Sequence, residues 1–353
     1  MVEATIAGVT GREPSITVRR GVVVRALVPG SARPAGAPHV TAVALATGER
    51  VPADLVVDCS GRRSTVPAML EAIGATRPVD EPGDAGFVYY CRHFTGPELP
   101  TLLGPPVQHV DSLSFVTIAG DHGTWSVGMM GNAEDAWLRR HATDPETWLR
   151  IARRFPLVAP WTEGTPTTEV QVMARTPDRL TRYLDDGHPV ATGIVALGDA
   201  AASTSPAYGR GAAFAAMEAV CLRDVLREVA ATDPIELSHR WHDRVGNVVG
   251  PYIHDTLALA RHRHAEIAAQ IDGREYAPAD PAWRFGQALG RAAVHDPDLL
   301  RATMSIGAAL ERGATFARRR DIIRRLEELG PRPGIPGPTR AELVDAIGTA
   351  RAA

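Results

Sequence analysis

The segment TGIVALGDAAASTSPAYGRGAAFAAMEAVCLRDVL, residues 192–226, constrains this chain more than any other. It opens as a short apolar run, breaks at Gly198-Asp199, crosses a small-residue loop with Pro206, Gly209 and Gly211, and resumes as a long helical pattern. A short apolar run bounded by glycine reads as a strand buried on both faces. In open α/β sheets, ligands bind beyond the carboxyl ends of such strands, where the chain turns away. Asp199 sits at such an end and can accept hydrogen bonds from ligand hydroxyls. The small residues after it let a flat or extended ligand approach the backbone. A helix opening at Gly209 and Gly211 offers unpaired N–H groups and about half a positive charge, which suits an anion or a ring oxygen that becomes negative on reduction. Gly-Asp alone is also an ordinary turn whose acid caps backbone. The offsets of Pro206 and the two glycines before an Ala-rich helix favour the ligand reading.

Bulk properties narrow the class. The chain has 353 residues, enough for two domains or one large domain with an elaborated lobe. A net charge of −3 with 22% charged residues gives no basic excess for nucleic acid and none for an anionic membrane. No apolar run approaches the ~18 residues of a membrane span, and the first 20 residues do not form a signal peptide. Cys59, Cys91 and Cys221 are odd in number and lack metal spacing, which suits a reducing, cytoplasmic setting. Cys59 and Cys221 lie in apolar runs and are expected to be buried structural thiols.

The fold class expected is α/β (α+β). Residues 1–85 are expected to form the first part of one lobe, with strands over 15–58, and Leu55, Val56 and Val57 buried on both faces before Asp58-Cys59-Ser60-Gly61. Residues 86–185 carry partly alternating strands, such as GFVYYCRHF and TWSVGMM, and a helical insert starting at Asp144-Pro145-Glu146. Residues 186–235 return to the first lobe. Residues 236–353 are helical, with a break near Gly250-Pro251, helices near 281–294 and 297–313, and a last helix opened by the capping box Thr339-x-x-Glu342.

GIVALGDAAASTSPAYGRGAAFAAMEA resembles the Gly-Asp segment of FAD-dependent monooxygenases of the para-hydroxybenzoate hydroxylase type. That segment is an apolar strand, Gly-Asp-Ala-Ala, a few residues, then Pro-x-x-Gly-x-Gly. The resemblance implies that Asp199, next to Gly198 in the same cofactor-binding turn, holds the ribityl hydroxyls of FAD. It implies that Pro206 lies near the isoalloxazine, and that Gly209, Arg210 and Gly211 present the loop whose amides meet the ring's N1/O2 edge. ADLVVDCSGRRSTVP, residues 53–67, resembles the same family's strand-plus-Asp-Gly segment at the pyrophosphate. Here Ser60-Gly61-Arg62 stands where the family has Asp-Gly, as in a Ser-Gly-Arg variant of related flavin oxidoreductases. The resemblance covers roughly residues 10–235. It implies an inserted antiparallel substrate lobe over an incomplete FAD-binding Rossmann-like lobe, with a helical C-terminal tail. It also implies NAD(P)H as reductant, O2 and a small apolar organic molecule as substrates, and chemistry carried by the cofactor with no catalytic side chain.

The G-x-G-x-x-G strand–turn–helix unit that should open such a fold is not found in the sequence. The expectation is therefore a truncated chain, or one completed by a separate polypeptide; an uncovered sheet face favours truncation. Two other functions stay open: a flavin-dependent reductase of prenyl double bonds, and a non-catalytic remnant that no longer binds FAD. His239 and His242 share a helical face without completing a metal ligand set, and no G-x-S-x-G marks a serine hydrolase. The sequence is silent on oligomeric state.

Overall fold

The computed structural model describes residues 2–83, 86–174, 176–230 and 232–348. The chain divides into two compact units. The first takes residues up to Glu81 with Leu180–Ala202 and Ala215–Val248; the second takes Pro82–Arg179, Ser203–Phe214 and the chain from Val249 on.

In the first unit, strands Val24–Pro29, Val40–Leu45 and Arg50–Pro52 form an antiparallel meander. The strand expected from residue 16 begins only at Val24. The partner strand ends at Leu45, which pairs with Val24; beyond it one bond, from the Ala46 N–H to the Val23 carbonyl at 2.8 Å, ends the pairing, and Ile16, Val18, Val22 and Val23 are exposed. A helix, Val2–Thr10, precedes them. Strands Val56–Asp58 and Ile194–Ala196 form a parallel pair. Ile194, Val195 and Ala196 are all buried, as a strand covered on both faces requires. The expectation fails for the other strand: Val57 is 40% exposed and Cys59 is exposed. The sheet stops at two strands among the described residues, so an apolar run alone does not secure cover. The core gathers Leu27, Val40, Leu70, Tyr183, Val190 and Ile194.

The second unit is built on an antiparallel sheet. Its order is Thr165–Pro166, Phe87–Thr95, Thr124–Asn132, Leu113–Ala119, Val107–Val110, with Gln171–Met173 also on Phe87–Thr95. Both faces are covered, and side chains alternate between them. Val88, Tyr90, Phe94 and Met129 pack with Trp148, Phe155 and, from the last helix, Leu343 and Ile347. Phe87, Tyr89 and Met130 pack with Tyr208, Ala260 and Ile267. Asp144 caps the helix Pro145–Ala152 by accepting the Thr147 N–H at 2.8 Å. Trp148 in that helix donates its indole N–H to the Tyr90 carbonyl at 3.0 Å.

The helical pattern after 236 breaks at Val249, between Pro234–Val248 and Gly250–Ile271. Pro281–Ala292 and Pro297–Gly307 follow. The latter is shorter than expected because the chain turns through Ala309 at φ 56°, a left-handed conformation. The capping box closes as read: the Thr339 N–H donates to Glu342 Oε2 at 2.8 Å, and the Glu342 N–H to Thr339 Oγ1 at 3.4 Å.

Candidate functional site

Two segments far apart in sequence meet in the first unit. Val56 pairs with Ile194 and Asp58 with Ala196 in parallel register, and the Leu197 N–H donates to the Asp58 carbonyl at 2.9 Å. Soon after its strand, each chain segment passes through a glycine in the left-handed region, Gly61 at φ 79° and Gly198 at φ 60°. Short 3-10 turns, Gly61–Arg63 and Gly198–Ala200, follow. They bring Arg62 Nε to 3.7 Å from Asp199 Oδ2, with both side chains about one-third exposed. The pair stands at the carboxyl ends of parallel strands, the position at which open α/β sheets hold ligands.

Two buried acids set these turns. Asp58 Oδ1 accepts the Ser60 N–H at 2.9 Å and the Ser60 hydroxyl at 2.5 Å, while Oδ2 accepts the Ser64 hydroxyl at 2.5 Å. The Ser60 hydroxyl is thus spent inside the chain. Gly61 faces open space, with no atom within 4 Å of where a Cβ would stand. Glu218 Oε2 accepts the Gly198 N–H at 2.5 Å. Burial pushes this carboxyl up to about 7, opposed in part by that hydrogen bond. Sequence reasoning gave Glu218 no role; its signal is the first acid of an Ala-rich helix, seven residues after Gly211. The neighbouring Cys59 thiol is pushed up by partial burial and by Asp58 and Glu218, so its reactive thiolate is disfavoured.

The glycine loop belongs to the second unit. Pro206–Tyr208 is a 3-10 turn that ends at Gly209, φ 64°, beside open space. Ser205 Oγ lies 2.7 Å from Tyr89 Oη in a buried hydrogen bond, which ties the loop to the sheet. Gly211 is the first residue of the helix Gly211–Glu228. The Arg210 side chain is buried: Nε donates to the Gly307 carbonyl (3.2 Å), Nη1 to Thr256 Oγ1 (2.7 Å) and Nη2 to the Ile306 carbonyl (2.9 Å).

Arg210 and Tyr208 reach a cavity of about 470 Å³ inside the second unit. Its walls come from the strand Val107–Val110, the helices Gly250–Ile271, Pro281–Ala292 and Pro297–Gly307, and residues 334–339. His109 lines it and is held neutral, its pKa lowered to about 3 by burial and then by Arg263. Burial raises the Tyr208 phenol, which stays neutral. No local sequence signal marks this cavity, because its walls converge from three helices and a strand without a shared motif. Among the described residues no cluster of three or more His, Cys, Asp or Glu could hold a metal ion. No helix among them is long and apolar enough to cross a membrane.

No protein-family model matches the chain. It is 27% identical over 198 residues to Protein Rv3254 of Mycobacterium tuberculosis, a match over 51% of this chain that spans only 38% of that protein's length. Among solved structures it is similar to PqsL of Pseudomonas aeruginosa, a probable FAD-dependent monooxygenase. That match has a TM-score of 0.54 and 17% identity, over 75% of this chain and 71% of that one. It is also similar to the Diels-Alderase PyrE3 of pyrroindomycin biosynthesis, with a TM-score of 0.51 and 17% identity over 85% of this chain and 56% of that one. A triple mutant of the flavin-dependent brominase Bmp2 gives a TM-score of 0.51 at 14% identity, over 87% of this chain and 69% of that one. At these identities the likeness is one of fold: mixed α/β, with antiparallel sheets, shared with flavin-dependent monooxygenases and a halogenase.

Proposed function

We propose that this chain carries part of an FAD-dependent oxidoreductase, a monooxygenase or hydroxylase of a small, largely apolar organic molecule. The observation that carries the reading is the approach of Arg62 to Asp199, 3.7 Å apart at the carboxyl ends of two parallel strands. It brings together two segments that each resemble a flavin-binding element. The residues fit the flavin and its polyol. In the first unit Asp199 is a carboxylate about one-third exposed and Gly61 leaves room for close backbone approach; in the second, Gly209 leaves such room and Gly211 opens an 18-residue helix.

In this reading Asp199 accepts hydrogen bonds from the polyol hydroxyls, and Gly198, fixed by Glu218, sets the carboxylate's place. The amides at Gly209 and Gly211 stabilise negative charge on the ring's oxygen edge. Pro206 and the Ser205–Tyr89 bond hold that loop in shape, and Arg62 serves an anionic part of the cofactor. Bound flavin would supply the redox chemistry, with NAD(P)H as reductant and O2 as the oxygen source. The protein's task is binding, orientation and exclusion of water.

The test is to mix the purified chain with FAD, remove free cofactor and record absorbance in the near-ultraviolet and blue. FMN in a parallel sample asks whether the flavin and polyol half alone is held. Retained yellow colour, lost in Asp199→Ala, is expected, with O2 uptake on adding NADH or NADPH. A folded chain that retains neither flavin overturns the reading.

A further inference from the structure

The cavity of the second unit contains two buried arginines whose hydrogen bonding differs. A guanidinium has five N–H donors. Arg263 uses all five: Nε to Ser114 Oγ, Nη1 to Glu266 Oε2 and, at 3.5 Å, to Gln270 Oε1, and Nη2 to the carbonyls of Asp111 and Leu113. Its charge is met by Glu266, 2.5 Å away. Arg263 is a structural pin between its helix and the sheet.

Arg210 is different. It is 7% exposed, yet three donors serve one hydroxyl and two carbonyls, and two N–H groups are left over. Among the described residues no carboxylate pairs with it: the nearby Asp255 is taken by Arg312 through two contacts of 2.8 Å. The carbonyls it meets close the helix Pro297–Gly307, whose C-terminal end supplies about half a negative charge. The Tyr208 ring face, 5.9 Å from the guanidinium carbon, adds one weak contact, and the rest of the Arg210 charge is uncompensated in a desolvated wall, which is costly without an anion. The lining residues repeat the imbalance, with Arg210, Arg263 and Arg291 against Asp111 and Glu266. His109 is neutral and does not alter it. The rest of the wall is mostly apolar, including Val107, Leu259, Trp283 and Ile306. Trp283 is stacked on His262, 5.0 Å between ring centres, and His262 is held by Asp280 at 3.0 Å.

We infer that this cavity binds an organic monoanion with a flat, largely apolar body, and that Arg210 is the residue that selects its acidic group. Its volume lies in the range of small-molecule sites. The inference stands whether or not the chain holds flavin. If the proposed oxidation is correct, it narrows the substrate to an organic acid.

The test is calorimetric titration of the full chain, without added flavin, with biphenyl-4-carboxylate and with its neutral counterpart biphenyl-4-methanol. The acid is expected to bind tighter by about tenfold or more, the worth of one or two charge-assisted hydrogen bonds. Arg210→Met should abolish the preference while leaving residual binding of both. Since Arg210 also closes a helix, a second variant guards against misfolding. Gly286 lines the cavity within Pro281–Ala292, and a Cβ there would meet nothing within 4 Å. Gly286→Leu should fold, gain helix propensity and lose binding of both compounds. Equal affinity of the wild type for acid and alcohol overturns the inference. So does unchanged binding in a folded Gly286→Leu variant.

Discussion

Glu218 Oε2 accepts the Gly198 N–H at 2.5 Å, so the turn that presents Asp199 is held by a buried carboxyl. Only one of its oxygens has this partner, and the charged form is penalised by burial, so the neutral acid is favoured up to about pH 7.

This pair makes stability depend on pH in an uncommon direction for a carboxyl. The folded-state pKa, about 7, lies above the ordinary glutamate value of 4.5, so the native chain keeps a proton that the unfolded chain has lost. The stabilisation is full below pH 4.5 and is lost as pH rises through 7, a change of up to about 3 kcal/mol. Glu218→Gln keeps an acceptor for Gly198 without titrating. In urea unfolding, the variant is expected to gain about 2 kcal/mol relative to wild type between pH 5 and 7.5. A difference that stays constant with pH would show that Glu218 does not titrate there.

The Arg62–Asp199 pair should matter to binding and not to stability. It is part-exposed and 3.7 Å apart, the kind of ion pair worth less than about 1 kcal/mol. Asp199→Ala and Arg62→Ala are therefore expected to unfold within about 1 kcal/mol of wild type. On the proposed function, Asp199→Ala lowers flavin affinity by about tenfold or more, because it removes an acceptor of hydrogen bonds. Loss of stability without loss of affinity would identify the pair as structural.

What the sequence revealed of this architecture followed from local rules. The break beside Gly250-Pro251, at Val249, the Asp144 cap and the Thr339 capping box are each decided by residues within a few positions. The turns at Gly61 and Gly198 were legible for the same reason. The exposure of Val57 and Cys59 was not, since cover depends on what packs from elsewhere. Glu218 escaped notice because its role depends on a glycine 20 residues earlier in the chain. Arg210 was read as part of a glycine loop. Its side chain instead meets a hydroxyl and carbonyls 46 to 97 residues away, a relation no local pattern encodes.

Besides its capping box and its two core residues, the last helix is anchored by a buried ion pair. Arg340 Nη2 donates to Asp135 Oδ1 at 2.8 Å, and its guanidinium lies 4.4 Å from the Trp137 ring centre, with only 12% and 3% of the two paired side chains exposed. Arg340→Ala would leave Asp135 buried without its cation, at a cost of about 3 kcal/mol. Leu343 and Ile347 should then lose their hold on the core, and hydrogen exchange over 340–348 should accelerate. Adding Asp135→Asn should recover part of the loss by removing the unpaired charge. No recovery would assign the effect to the ring contact.

His109 should oppose Glu218 in the acid range. Its Nδ1 is 2.8 Å from Ser114 Oγ, and burial with Arg263 nearby lowers its pKa from 6.5 to about 3. The unfolded chain thus takes up a proton below pH 6.5 that the native chain refuses, and the stabilisation is lost as pH falls toward 3. Between pH 7.5 and 5 the loss is about 2 kcal/mol. Over pH 5 to 6.5 it offsets the gain from Glu218, so the contributions of these two groups nearly cancel in the wild type. His109→Asn keeps a partner for Ser114 and removes the titration, so its stability should fall more steeply with rising pH than the wild type's. In the wild type, the His109 ring resonances should not move between pH 5 and 8; movement with a midpoint near 6.5 would mean that the ring is solvated and that the cavity wall is open to water there.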